Sequence, residues 1–116
     1  MEFSSDFRYD LKVGQISEEK LADVLSNKKI EVKTDLRAYK TGNVYVEYFS
    51  RGKPSGISTS ESDYYCFVLG SVMILIESKE LKNKCRKYLN TSRDKKGGDN
   101  NTSKGILLPV KELINK

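Results

Sequence analysis

The sequence predicts an α/β (α+β) domain in which a mixed β-sheet is flanked by helices. Residues 29–35 alternate apolar and charged side chains, residues 44–49 are β-branched and aromatic throughout, and residues 72–76 form a short continuous apolar run. Helix-start signals stand before, between and after these stretches. A strand pair followed by a helical crossover gives a mixed sheet with helices on its faces.

Taken in order, residues 1–12 carry few apolar positions and read as an arm or short strand. A first helix starts at Ser17, whose hydroxyl can cap it. Glu18 and Glu19 suit its positive end, and Lys20 stands where a capping box would place Glu. Ile16, Leu21, Val24 and Leu25 form its apolar stripe, and Ser26-Asn27 ends it. The strand over 29–35 follows, with Ile30 and Val32 on one face and Glu31, Lys33 and Asp35 on the other. Residues 36–43 turn the chain, tightest at Thr41-Gly42-Asn43, into the strand over 44–49, and the two strands are expected to form an antiparallel hairpin.

Residues 51–56 form a Gly/Pro loop bearing Arg51 and Lys53. A second helix is expected from Ser58 or Ser60 to about Gly70, with Glu61 and Asp63 in its first turn. The run 72–76 then reads as a buried central strand, and Ser78 caps a basic helix through about Leu89. Residues 93–105 are polar and rich in Gly and Asn, hence a mobile loop. Residues 106–109 close the sheet, and a short helical turn follows from Val110. With no internal repeat and no linker, residues 1–116 form a single domain.

Composition removes several function classes. The chain has no histidine, and its two cysteines, Cys66 and Cys85, form no CxxC pair; structural zinc and any histidine-based acid–base or nucleophilic mechanism are excluded. Both cysteines read as small buried hydrophobes, with partial exposure expected for Cys85 on the basic helix. Its sixteen carboxylates leave oxygen-ligand chemistry open, which suits Mg²⁺. The net charge of +5 is compatible with a polyanionic partner. No apolar run is long enough to cross a membrane, and the first six residues lack the features of a secretion signal, so a cytoplasmic location without a membrane partner is expected.

The chemistry centres on Glu31 and Lys33, which a strand projects to the same side. The carboxylate can hold a divalent cation, and the ammonium can orient water or stabilise charge building on a phosphate. Hairpin register would put Glu47 opposite Glu31, with Cβ atoms ~4.5–5.5 Å apart, whereas a one-residue slip turns Glu47 to the other face. Asp35 continues the Glu31 face as a further ligand, and Glu19 can approach from the first helix. The alternative is a plain solvated strand face. In the loop, Arg51, Lys53 and Ser55 can cradle a phosphate, or form an ordinary turn. The cations Lys79, Lys82, Lys84, Arg86 and Lys87 are scattered around their helix and either touch backbone phosphates or are simply solvated. Tyr64, Tyr65 and Phe67 read as core. Gly97-Gly98-Asp99 reads as a surface loop, with an active-site lid as the lesser alternative.

The run Ile30-Glu31-Val32-Lys33-Thr34-Asp35 in this setting resembles the PD-(D/E)XK nuclease superfamily, where an apolar-Glu-x-Lys strand carries the catalytic site. Residues 41–57 and the later Gly97-Gly98-Asp99-Asn100-Asn101 with Leu107-Leu108-Pro109 are similar to small phage-encoded members, so the resemblance covers roughly residues 10–110. It implies a restriction-endonuclease-like core and a metal-dependent endonuclease acting on nucleic acid, chiefly DNA. Glu31, Lys33 and Glu47 would be catalytic, with Glu31, Glu47 and Asp35 around Mg²⁺, or Mn²⁺ as a substitute. It also implies a homodimer, of which a junction resolvase is one form. The superfamily's first acidic residue usually precedes the Glu-x-Lys strand; here Glu47, Asp10 or Asp23 would have to supply it. The alternatives are a non-catalytic DNA-binding or regulatory protein on the same scaffold, and an interaction module that inhibits a host enzyme.

Overall fold

The computed structural model describes residues 10–12 and 18–114. Ser17, Ile16 and most of the expected N-terminal arm lie outside the described residues. The elements are β1 (Asp10–Lys12), α1 (Glu18–Asn27), β2 (Ile30–Thr34), α2 (Ala38–Thr41), β3 (Asn43–Ser50), β4 (Lys53–Pro54), β5 (Tyr64–Val68), β6 (Val72–Glu77), α3 (Ser78–Arg86), β7 (Asp94–Gly97) and β8 (Ser103–Pro109). Single 3₁₀ turns occupy Gly56–Ser58, Asp99–Asn101 and Val110–Leu113. This is a mixed α+β architecture.

The strands form two four-stranded sheets, ordered β1-β6-β5-β2 and β4-β3-β8-β7. The first is mixed: β1 runs parallel to β6, β6 antiparallel to β5, and β5 parallel to β2. The second is antiparallel throughout. Both contribute to one apolar core in which Val44, Phe67, Leu81, Ile106 and Leu108 are fully buried. α3 adds Leu81 and Cys85 to that core, whereas Tyr64 and Leu75 turn to the other face of the first sheet, against Leu21 of α1 and Ile30. Cys85, expected to be partly exposed, is thus buried, and Cys66 is the less covered of the two cysteines.

The expected hairpin between the strands at 29–35 and 44–49 does not form. β2 pairs with β5 and β3 with β8, so the two belong to different sheets. The reason lies between them. Asp35 Oδ1 accepts hydrogen bonds from the backbone N–H groups of Arg37 (3.0 Å) and Ala38 (3.1 Å). Those bonds start the helical turn α2, and buried Ala38 anchors it to the core. A capped helical turn redirects the chain where a hairpin loop would have folded it back.

Two other expectations change. The stretch from Ser60 to Gly70 is not a helix: residues 64–68 are β5, in the middle of the first sheet. The expected caps serve other groups: Ser58 Oγ donates to the Tyr48 carbonyl, and Ser60 Oγ donates to Glu31 and accepts the Ser62 N–H, with no helix following. The aromatic and β-branched composition of Tyr64–Val68 then prevails. The segment 93–105, expected to be a loop, contains β7, an edge strand whose polar composition hides it from an apolar pattern. Tyr48 and Arg93 tie it down: the Tyr48 hydroxyl donates to Asp94 Oδ1 at 2.6 Å, and Arg93 Nη1 donates to Asn43 Oδ1 at 2.8 Å.

Arg51 and Gly52 form a two-residue turn with φ of 50° and 83°, closing Ser50 against Lys53. Left-handed conformation at both positions matches the twist of the flanking strands, and Gly adopts it without steric cost.

Candidate functional site around Glu31 and Lys33

β2 ends the first sheet, and strand alternation sorts its side chains. Ile30 packs beside Tyr64 and Leu75 on the α1 side, so Glu31 and Lys33 share the side that carries Tyr65 and Phe67. Parallel register places Glu31 beside Tyr65. The sequence-predicted pair does come together: Lys33 Nζ lies 3.0 Å from Glu31 Oε2.

The second carboxylate oxygen, Glu31 Oε1, accepts a hydrogen bond from Ser60 Oγ at 3.0 Å. A line of hydroxyls continues from there, Ser60 Oγ to Ser62 Oγ at 2.8 Å and Ser62 Oγ to Ser78 Oγ at 3.2 Å. It ends at a cleft of about 260 Å³ lined by Ser62, Ser78, Asp63, Glu77, Lys28 and Lys79. Partial burial pushes the Glu31 carboxyl upward. The hydrogen bonds from Lys33 and Ser60 and the charge on Lys33 outweigh it, leaving Glu31 below the usual glutamate range.

Tyr65 completes the neighbourhood. It is 2% exposed, and its hydroxyl, turned toward Glu31 and Ser60 closely enough to lower the Glu31 pKa, forms no hydrogen bond of full geometry among the described residues. Burial raises its pKa, the Ser60 hydroxyl opposes that rise, and the nearby Glu31 charge adds to it. Sequence reading assigns Tyr65 to the core, where its ring lies stacked with Phe67 at 6.1 Å. Its hydroxyl, Ser60 and Ser62 are the members of this site that the reading does not find. The one signal available is the hydroxyl-rich run Ser58-Thr59-Ser60-Glu61-Ser62, which imitates a helix cap.

The other predicted residues stand elsewhere. Val44 and Val46 face the core, so Glu47 turns to the outer face of the second sheet, where its Oε2 accepts a hydrogen bond from Ser55 Oγ at 2.9 Å. The structure therefore does not place Glu47 across a hairpin from Glu31, and Ser55 serves Glu47. The backbone there is tight: a Cβ on Gly56 would lie 2.1 Å from the Glu47 carbonyl oxygen. Asp35 accepts the Arg37 and Ala38 N–H groups at the entry to α2. Glu19 is exposed on α1, and Arg51 and Lys53 are exposed at the β3–β4 turn. Among the described residues, no three His, Cys, Asp or Glu side chains converge in a way that could hold a metal ion.

A separate apolar cavity of about 100 Å³ lies between α3 and the second sheet, bounded by Cys85, Ile57, Ile106 and Leu89, with Lys82 and Arg86 among its lining residues. None of the described helices is long and apolar enough to cross a membrane. Comparison with protein-family models, curated proteins and solved structures returns no match.

Proposed function

We propose that the chain is a metal-dependent endonuclease that hydrolyses phosphodiester bonds of nucleic acid, with DNA as substrate, at the Glu31–Lys33 side of β2. The Tyr65 hydroxyl is the observation that carries this reading. A buried hydroxyl beside a carboxylate and a serine hydroxyl, with no hydrogen bond of full geometry among the described residues, is a polar group that a bound ligand would satisfy.

The donors around it are all oxygens, the type that Mg²⁺ and Mn²⁺ accept. They include a single carboxylate, so the fit is to a cation held by Glu31 that draws its remaining ligands from water and substrate phosphate, a common arrangement for Mg²⁺. When bound, the cation supplies charge neutralisation at the phosphate and a lowered pKa for the attacking water. The chain's own groups divide the rest. Ser60 Oγ holds one Glu31 oxygen in place. Lys33, paired with Glu31 in the free protein, would turn its ammonium to the negative charge growing on the phosphate. The Tyr65 hydroxyl, beside Glu31 and Ser60, would donate to a phosphate oxygen. A restriction-endonuclease-like core and a homodimer accompany this reading on the resemblance of residues 30–35 and their surroundings, and a cytoplasmic location belongs with it.

One observation favours a second reading, nucleic-acid binding without cleavage. Both Glu31 oxygens are already engaged, and no second carboxylate joins them among the described residues. Supercoiled-plasmid nicking with and without Mg²⁺ separates the two. Nicking by the wild type that needs the metal and falls about 100-fold or more in Glu31→Ala and Lys33→Ala, with DNA binding retained, supports the nuclease. Binding without metal-dependent nicking supports the second reading.

A further inference from the structure

Away from Glu31, cations gather at one end of the second sheet. Strand register sets Phe49, Lys104 and Lys96 in a row across β3, β8 and β7, with Phe49 opposite Lys104 and Lys104 opposite Lys96. Residues opposite one another in a sheet share a face. Lys104 Nζ lies 5.4 Å from the centre of the Phe49 ring. The next row, turned to the opposite face, pairs Ser50 with Lys53 and with Ser103, and the Arg51 N–H bonds the Thr102 carbonyl, so the cations flank the rim of this end from both faces of the sheet.

Arg51, Lys53, Lys96 and Lys104 are all exposed, and none is in an ion pair among the described residues. Two carboxylates of the second sheet are engaged elsewhere: Asp94 accepts from Tyr48 and from the Asn90 N–H, and Glu47 accepts from Ser55. Two features of this end are unfavourable in the free protein. Lys96 and Lys104 are like charges directly opposite, an arrangement that destabilises a sheet. Arg51 holds a φ of 50°, which a residue with a side chain adopts at a cost. A polyanion laid across the end would reverse the first and use the guanidinium displayed by the second.

We infer that Arg51, Lys53, Lys96 and Lys104 form a binding surface for the phosphodiester backbone of nucleic acid, separate from the Glu31 site. The identity of the polyanion rests on the proposed function, whereas the cation cluster does not.

The test is fluorescence anisotropy of a short labelled DNA duplex across a salt series, with wild type, Lys96→Gln/Lys104→Gln, Arg51→Gln/Lys53→Gln and Lys40→Gln. Each lost phosphate contact lowers the slope of log affinity against log salt by about 1, so each double variant is expected to lose about 2 from the wild-type slope. Lys40→Gln, at an exposed cation on α2 before the other end of β3, is expected to keep it. Removing the like-charge pair leaves the melting temperature of Lys96→Gln/Lys104→Gln no lower than that of the wild type, so weaker binding cannot come from unfolding. An unchanged slope in both double variants overturns the inference. So does absence of binding by the wild type, or polyglutamate displacing the duplex as well as unlabelled DNA does at equal charge, which would indicate an acidic protein partner. The two readings fail separately: loss of binding in the double variants when no protein nicks DNA leaves the surface standing without the nuclease, and metal-dependent nicking lost only in Glu31→Ala, with slopes unchanged, does the opposite.

Discussion

Tyr65 and Glu31 carry opposite lessons about single residues. The Tyr65 hydroxyl is buried without a hydrogen bond of full geometry among the described residues, so deleting it removes a desolvation cost and leaves the ring's packing in place. Tyr65→Phe is expected to raise the urea midpoint, by an amount corresponding to about 1 kcal/mol, while slowing any cleavage that depends on the hydroxyl. A lowered midpoint would mean that the hydroxyl is satisfied in the folded chain. Glu31, by contrast, is depressed in the folded state: burial alone would raise it, but Lys33 and Ser60 favour its charged form. Its contribution to folding is present above the unfolded glutamate pKa and disappears as the pH falls through the lower, folded value. The stability gap between wild type and Glu31→Gln is therefore expected to close on acidification below about pH 4.3, as read by urea unfolding at stepped pH.

At the scale of elements, the decisive piece is the turn between β2 and β3. Asp35, a candidate metal ligand by sequence, accepts instead the Arg37 and Ala38 N–H groups at the entry to α2. Asparagine caps a helix about as well as aspartate, whereas alanine costs about 1 kcal/mol. Asp35→Asn is expected to match the wild type in thermal stability and Asp35→Ala to melt lower. If Asp35→Asn abolished metal-dependent nicking while keeping that stability, the residue would act in the chemistry as well. The same elements show what a sequence can reveal. β2, β3 and β6 are legible because each declares itself locally, through alternation, β-branching or an apolar run; α3 lies where it is expected, but Ser78 is its first residue and pairs with Ser62 instead of capping it. Period two alone places Glu31 and Lys33 on one side. The Ser60 and Tyr65 contributions are not legible, because they depend on β2 lying parallel to β5, a pairing between distant segments that no local pattern encodes. Asp35 hides the break between sheets in the same way, since a capping carboxylate and one on a polar strand face look alike in sequence.

For the whole molecule, the join between β7 and the core makes alkali the weak direction. Burial, and then the hydrogen bond and charge of Asp94, push the Tyr48 phenol up to about 12. A phenol raised in the folded state stabilises the fold fully below its unfolded pKa near 10 and loses that contribution as the pH rises toward about 12. Wild type is expected to lose stability across that window and Tyr48→Phe to lose less, measured by urea midpoints and by phenolate absorbance. Cys85 offers a different kind of readout. It is 5% exposed between α3 and the core, and burial, with a smaller push from Glu112, raises its thiol to about 12. A thiol so protonated and so covered reacts with an alkylating reagent only when the chain around it comes apart. Its modification rate is thus a built-in clock for the lifting of that helix. Where resealing outruns alkylation, the rate is expected to rise in proportion to the population of the opened form as denaturant is added, and Cys66, which is less deeply covered, to react first.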